Sequence, residues 1–226
     1  MVSGVPACGW TALAGAALAL DDAAGVSLLV SEPVFAGALF GLLTGRFEAG
    51  VAAGALLQCL SMVTLRVGGA RVPEGWLGAA AAVAALPPDM PLRGMDWLSA
   101  ASLTGPVVIG VVFAFLGRAL RDAQRHAVAF YAGSAIDRAS AGDASRAARL
   151  HWAAIAAHAA RGAAVVLIAF AIAPRLAAGV AAAVPGVRGG WIALGIGIVA
   201  LGRVAQSRRR WTWVAGAALG ALWVLS

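Results

Sequence analysis

The stretch LDDAAGVSLLVSEPVFAGALFGLLTGRFEAGVAAGALLQ, residues 20–58, decides the fold. It is almost wholly apolar, yet charges and helix breakers cut it into short pieces. Asp21 and Asp22 close an apolar block at residues 1–20. Glu32 stands before a second block, 33–45, which ends at Arg46 and Glu48. A third block, 49–65, stops at Arg66, and a fourth, 75–88, is short again. A helix needs about 20 apolar residues to cross the hydrocarbon core, and pieces of roughly 10–14 are more often re-entrant or interfacial. Irregular backbone at membrane depth survives only where protein or a water-filled cavity covers it. Transporters place their substrate sites at such broken helices. The stretch therefore predicts an all-α, polytopic integral membrane protein with broken, re-entrant helices in its N-terminal half.

The rest of the chain fits that solvent. Of 226 residues, 62% are hydrophobic and 12% charged, against about half and about a quarter in soluble domains. That excludes disorder, whose signature is low hydrophobicity, and leaves too much apolar surface for a water-soluble globule. The net charge of +7 comes entirely from arginine, with no lysine. Its distribution argues against a nucleic-acid partner: the arginines gather in two stretches, 118–149 and 203–210, as cytoplasmic loops do. Residues 1–20 carry no charge, so a retained first membrane segment is expected there, not a cleaved signal sequence. Residues 97–117, uncharged and β-branched at the centre, read as the clearest spanning helix. The expected organisation is one membrane domain over 1–226: a substrate-facing re-entrant half (1–96), the spanning helix (97–117), a cytoplasmic helical linker interrupted at Gly133 and Gly142 (118–149), and C-terminal helices (150–226) with a Pro/Gly connection at 174–190. Trp76, Trp97, Trp191, Trp211 and Trp213 fall near segment ends, where interfacial tryptophans belong.

No motif of a soluble enzyme is present: no P-loop, no HExxH, and no catalytic residue to name. The two cysteines, Cys8 and Cys59, have no metal or disulfide spacing and read as small buried hydrophobes. Neither a cofactor nor a metal site is expected. The informative residues are polar groups inside apolar blocks. Arg161 lies within a long apolar run, where an arginine faces a partner, a cavity or a pathway, or else snorkels to the surface. His151, His158 and Arg161 share one helix face. Gln58 is an amide at membrane depth and wants either a neighbouring helix or a sugar hydroxyl. Arg66, Gly68, Gly69, Arg71, Pro73 and Glu74 break helix between two apolar blocks, as a surface turn or a re-entrant loop tip. The expected substrate-facing set is Gln58, Arg66, Gly68, Glu74 and Arg161. GxxxG spacings such as Gly37 to Gly41 read as helix-packing sites.

These residues carry a resemblance. Residues 20–58 resemble the N-terminal region of the IIC membrane subunit of mannose/fructose/sorbose-family sugar phosphotransferase systems. Asp21, Pro33, Gly37, Gly45, Gly50, Gly54, Gln58, Gly68, Pro73 and Glu74 stand in register with that family's pattern. HWAAIAAHAARGAAVV, residues 151–166, is similar to its later helix, with His151 and Arg161 as counterparts. The resemblance implies a permease subunit of the bacterial inner membrane. It would work with a IID membrane subunit, in an oligomer, to carry a hexose by an elevator-like movement. The sugar would be phosphorylated by IIB, itself charged by IIA, while this chain is not phosphorylated. Three departures stand out: Glu32 where the family has arginine, Arg46 where it has aspartate, and Arg66 before Val-Gly. They suggest either charges swapped in compensating pairs or a non-transporting scaffold that recruits phosphotransferase components.

Overall fold

A computed structural model describes residues 4–23, 30–62, 73–87 and 103–183. Its elements are all helical: α1 (Gly4–Ala23), α2 (Pro33–Leu43), α3 (Phe47–Met62), α4 (Gly75–Ala85), α5 (Thr104–Ser140) and α6 (Ala144–Ala183). The short blocks read from the sequence are short helices. At 11 residues each, α2 and α4 are about 16 Å long, roughly half the hydrocarbon thickness.

The α2–α3 hairpin turns on Gly45, whose φ of +72° is left-handed. The Arg46 N–H donates to the carbonyl of Gly41 at 2.6 Å and the Gly45 N–H to that of Leu42 at 3.2 Å. This pair of bonds satisfies the last carbonyls of α2. The two helices then touch backbone to backbone. A Cβ on Gly37 would stand 2.3 Å from the carbonyl oxygen of Gly50, and one on Gly54 would stand 2.5 Å from that of Pro33. Small-residue crossings recur at Gly15–Gly162 between α1 and α6 and at Gly78–Gly110 between α4 and α5. Where lipid tails are as apolar as the side chains, such close approach is what gives helices a reason to pair. The Gly37–Gly41 spacing is thus a packing seam.

α4 is the hub. Every residue from Gly75 to Ala85 is buried, enclosed by α2, α3, α5 and α6. Its first turn includes Trp76, 1% exposed, so this tryptophan is a core residue and not the interfacial anchor expected of it. Trp76 does stand at a segment end, the start of α4, but that end is interior.

α5 and α6 form a long antiparallel pair. Ser140 and Ala144 are joined through Gly142, at φ +82°, with the Asp143 N–H on the carbonyl of Arg138 at 2.9 Å and the Gly142 N–H on that of Ala139 at 3.0 Å. The polar stretch after residue 117 therefore has no boundary at its start: α5 runs unbroken past Gly117 and through Gly133 to Ser140. Gly133 is exposed, with nothing near the place a Cβ would take, and a single glycine weakens a helix without stopping it. Gly142, unlike Gly133, does interrupt. At the far end α6 continues through Pro174 to Ala183, although a connection was expected from residue 174. A proline inside a membrane helix is tolerated when neighbours satisfy the carbonyl it frees. Residues 97–102 of the expected spanning helix lie outside the described residues. Among those described, the one segment long and apolar enough to cross a membrane is Ala144–Val180.

Large apolar side chains cover the outside of the bundle, among them Trp10, Phe35, Leu42, Phe115, Ile168 and Ile172. This is the inverse of a soluble surface and fits a lipid solvent. Cys8 and Cys59 are exposed as well, which corrects the expectation of burial: in lipid, a small apolar thiol has no need of the interior.

Asp143 starts α6. Its Oδ1 accepts from the N–H of Arg146 at 3.0 Å and from the Ser145 hydroxyl at 3.0 Å, the bonding of a helix N-cap. These hydrogen bonds, that from the Arg146 N–H foremost, hold its carboxyl below the usual aspartate range. A depressed carboxyl stabilises the folded turn above the ordinary aspartate range, and that contribution is lost as pH falls through its lowered value. Amide exchange at residues 145–148 is therefore expected to quicken, relative to exchange in mid-α6, as pH is lowered through the acid range. The Asp143→Asn variant is expected to lack that pH dependence.

Candidate functional site

The polar residues of the bundle meet in two clusters, and adjacent residues of α1 join them. Asp22 enters one and Asp21 the other.

The first cluster is ionic. Glu74 precedes α4, where the helix N-terminus favours an anion. Its side chain is fully buried. Arg161 of α6 donates from Nη1 to Oε2 at 2.9 Å, and its Nη2 stands 2.8 Å from Oε1 as an ion pair. Arg121 of α5 stands with Nε 3.7 Å from Oε1, and its Nη1 bonds Asp22 of α1. These two acids and two arginines match in formal charge and tie α1, α4, α5 and α6 together. Gly117 leaves the space for it: a Cβ there would sit 2.6 Å from Glu74 Oε2. The Glu74 N–H donates to the carbonyl of Ala114 at 3.0 Å, fixing the start of α4 on α5. Arg161 thus faces an ionic partner inside the protein and does not snorkel.

The second cluster surrounds the start of α2. Gln58 of α3 donates its Nε2 to Glu32 Oε2 at 2.8 Å and accepts from the Val34 N–H at 3.4 Å. Asp21 Oδ2 accepts from the Ser31 N–H at 3.0 Å. The two clusters lie close, because Pro33 packs on Gly75: a Cβ on Gly75 would stand 2.5 Å from Pro33 Cγ. Glu74 is thus one residue from this seam and Glu32 is one residue from it on the other side.

Of the five expected substrate-facing residues, Glu74 and Arg161 are brought into direct contact. Gln58 lies in the neighbouring cluster, and Arg66 and Gly68 lie outside the described residues. The amide of Gln58 bridges two helices. Arg46 does not pair with Glu32; its Nη1 donates to the carbonyl of Leu86 at 2.6 Å, tying the hairpin turn to the end of α4. The face shared by His151, His158 and Arg161 divides: the two histidines line a largely apolar cleft with Leu20 and Tyr131, while Arg161 turns to Glu74. Asp22 and Arg121 are the residues that sequence reasoning missed. Asp22 read as the end of an apolar block and Arg121 as part of a solvated linker. The signal was available in the Asp21–Asp22 pair, two acids at the end of an apolar helix that need cations or donors nearby.

Chemically, these clusters offer carboxylates, an amide and helix-terminal N–H groups, but no nucleophile beside a base. No group of three or more His, Cys, Asp or Glu able to hold a metal occurs among the described residues. These are hydrogen-bonding groups held inside an apolar bundle.

A family model described as the PTS system sorbose-specific IIC component matches residues 10–203. No curated protein matches the chain. A solved structure titled "Structure of membrane protein" superposes with a TM-score of 0.70 at 14% identity, covering 96% of this chain and 85% of that one. At that identity the likeness is one of fold.

Proposed function

We propose, from the premise that this chain belongs to the sorbose-specific IIC component family of phosphotransferase systems and is a membrane sugar-permease subunit of such a system, that it carries a hexose across the bacterial inner membrane as the sugar is phosphorylated. IIB is the phosphoryl donor in this reading, IIA recharges it, and a IID subunit completes the membrane complex. The chain itself supplies binding and passage. The observation that supports the reading best is the polar cluster at the start of α2, where Gln58, Glu32 and Asp21 gather beside a backbone seam of glycines. A short helix whose end meets carboxylates and an amide gives hydroxyl groups both donors and acceptors.

Gln58 is the sugar-contacting residue of the proposal, with Arg66 and Gly68 on the segment that follows α3. Glu74 and Arg161, each engaged by the other, border the site. Gln58→Ala is expected to lower uptake of labelled hexose about tenfold or more in cells that also hold the IID, IIB and IIA components, the equivalent of one good hydrogen bond in a dry site. Unchanged uptake removes Gln58 from the site.

One observation favours a second reading. The Nε2 of Gln58 already donates to Glu32, a residue that departs from the family pattern, as a scaffold that no longer handles sugar would allow. Hexose binding by the purified IIC–IID pair separates the two readings, because a scaffold of this kind binds none.

A further inference from the structure

Two polar atoms near the same seam have no hydrogen-bond partner among the described residues: the hydroxyl of Ser31 and the indole Nε1 of Trp76. Both residues are 1% exposed. Ser31 lies two residues before Pro33, and Trp76 follows Gly75, the residue on which Pro33 packs. Ser31 is held in place through its own N–H on Asp21, a bond in which its hydroxyl takes no part. A buried donor left unmade costs free energy, and an apolar replacement of the same shape is neutral or stabilising. The two atoms flank the seam where Pro33 packs on Gly75, and a hydrogen-bonding occupant there would satisfy both.

We propose that Ser31 and Trp76 are further hydroxyl-contacting residues of the sugar site centred on Gln58, and that they determine which hydroxyl pattern is accepted. The inference rests on the transport reading above. The chemistry selects the ligand class. A serine hydroxyl donates and accepts, and an indole N–H only donates; a sugar hydroxyl answers both. An anionic ligand is disfavoured by Asp21 and Glu32 alongside Ser31. The other buried atoms without a hydrogen bond do not form this pattern: Glu74 Oε1 and the Nε and Nη2 of Arg161 belong to the ionic cluster, and Gln124 and His158 belong to the α5–α6 pair. Rejection of a sugar that lacks the matching hydroxyl follows, because such a sugar leaves the buried donor unmade.

The test is equilibrium binding by the purified full chain with its IID partner. The probes are mannose, glucose, fructose and sorbose, then monodeoxy analogues of whichever binds most tightly. Ser31→Ala and Trp76→Phe each delete the orphaned group and keep the local shape. Each is expected to weaken the parent sugar about three- to tenfold and to leave the affinity for one monodeoxy analogue unchanged, a different analogue for each variant. Without sugar, neither variant is expected to melt at a lower temperature than the wild type. Equal affinity in wild type and variants overturns this inference while the transport reading stands. Weakening that is the same for parent and every deoxy analogue also overturns it, since that marks a packing role. Absence of hexose binding by the wild type overturns the transport reading and this inference together.

Discussion

Replacing Glu74 with alanine is expected to lower stability by about 3–5 kcal/mol, the cost of removing one member of a buried ion pair. The loss is not that of an attractive contact alone. It leaves Arg161 and Arg121, both with side chains 10% exposed, with Asp22 as the remaining acid among these four residues. An excess positive charge is then held inside an apolar bundle, which is why charges at such depth come in matched sets. The Glu74→Ala/Arg161→Ala double variant is expected to be less damaged than the sum of its two singles, because it removes a charge of each sign. Unfolding in mild detergent, followed by melting temperature and by yield of folded protein, reads all three variants. Additive losses would falsify the pairing.

Gly50→Ala carries the second large effect. The new Cβ would stand 2.3 Å from the carbonyl oxygen of Gly37 and 2.8 Å from Gly41 Cα. Both neighbours are backbone, so neither can swing aside as a side chain would. The α2–α3 hairpin has to open, at a cost of about 3 kcal/mol or more, in the upper range for overpacking. Gly133→Ala is the matched control. It lies on an exposed face of α5 with nothing near its Cβ position, and is expected to stabilise by about 0.5–1 kcal/mol, as alanine does in a helix interior. A melting temperature equal to wild type for Gly50→Ala sinks the seam as a determinant of the fold.

The boundaries of the short helices were legible because each is set by local chemistry. Pro33 is suited to the first turn of a helix, Gly45 ends one, and the residues flanking these blocks carry charge. The same locality misled at Gly133 and Pro174. Residue type there favours a break, but a single exposed glycine weakens α5 without stopping it, and α6, packed against α1, α4 and α5, continues through Pro174 to Ala183. Arg161 was legible as a residue in need of a partner. The partner's identity was not, since Glu74 is 87 positions away and nothing local distinguishes it from the acids of a surface turn. Arg121 and Asp22, 99 positions apart, are hidden for the same reason. Ser31 and Trp76 were invisible as a pair, because an orphaned donor is defined by what surrounds it and sequence spacing says nothing of that.

The ionic cluster also sets an order of biosynthesis. Along the chain its members emerge as Asp22, Glu74, Arg121 and Arg161, two acids before two bases. An arginine entering the bilayer on an isolated helix meets a steep insertion barrier. Here each guanidinium leaves the ribosome when its carboxylate has already been made, so α5 and α6 can be threaded in against waiting counter-charges. A circular permutation that delivers α6 ahead of α4 would reverse that sequence of events and send Arg161 into the membrane unaccompanied.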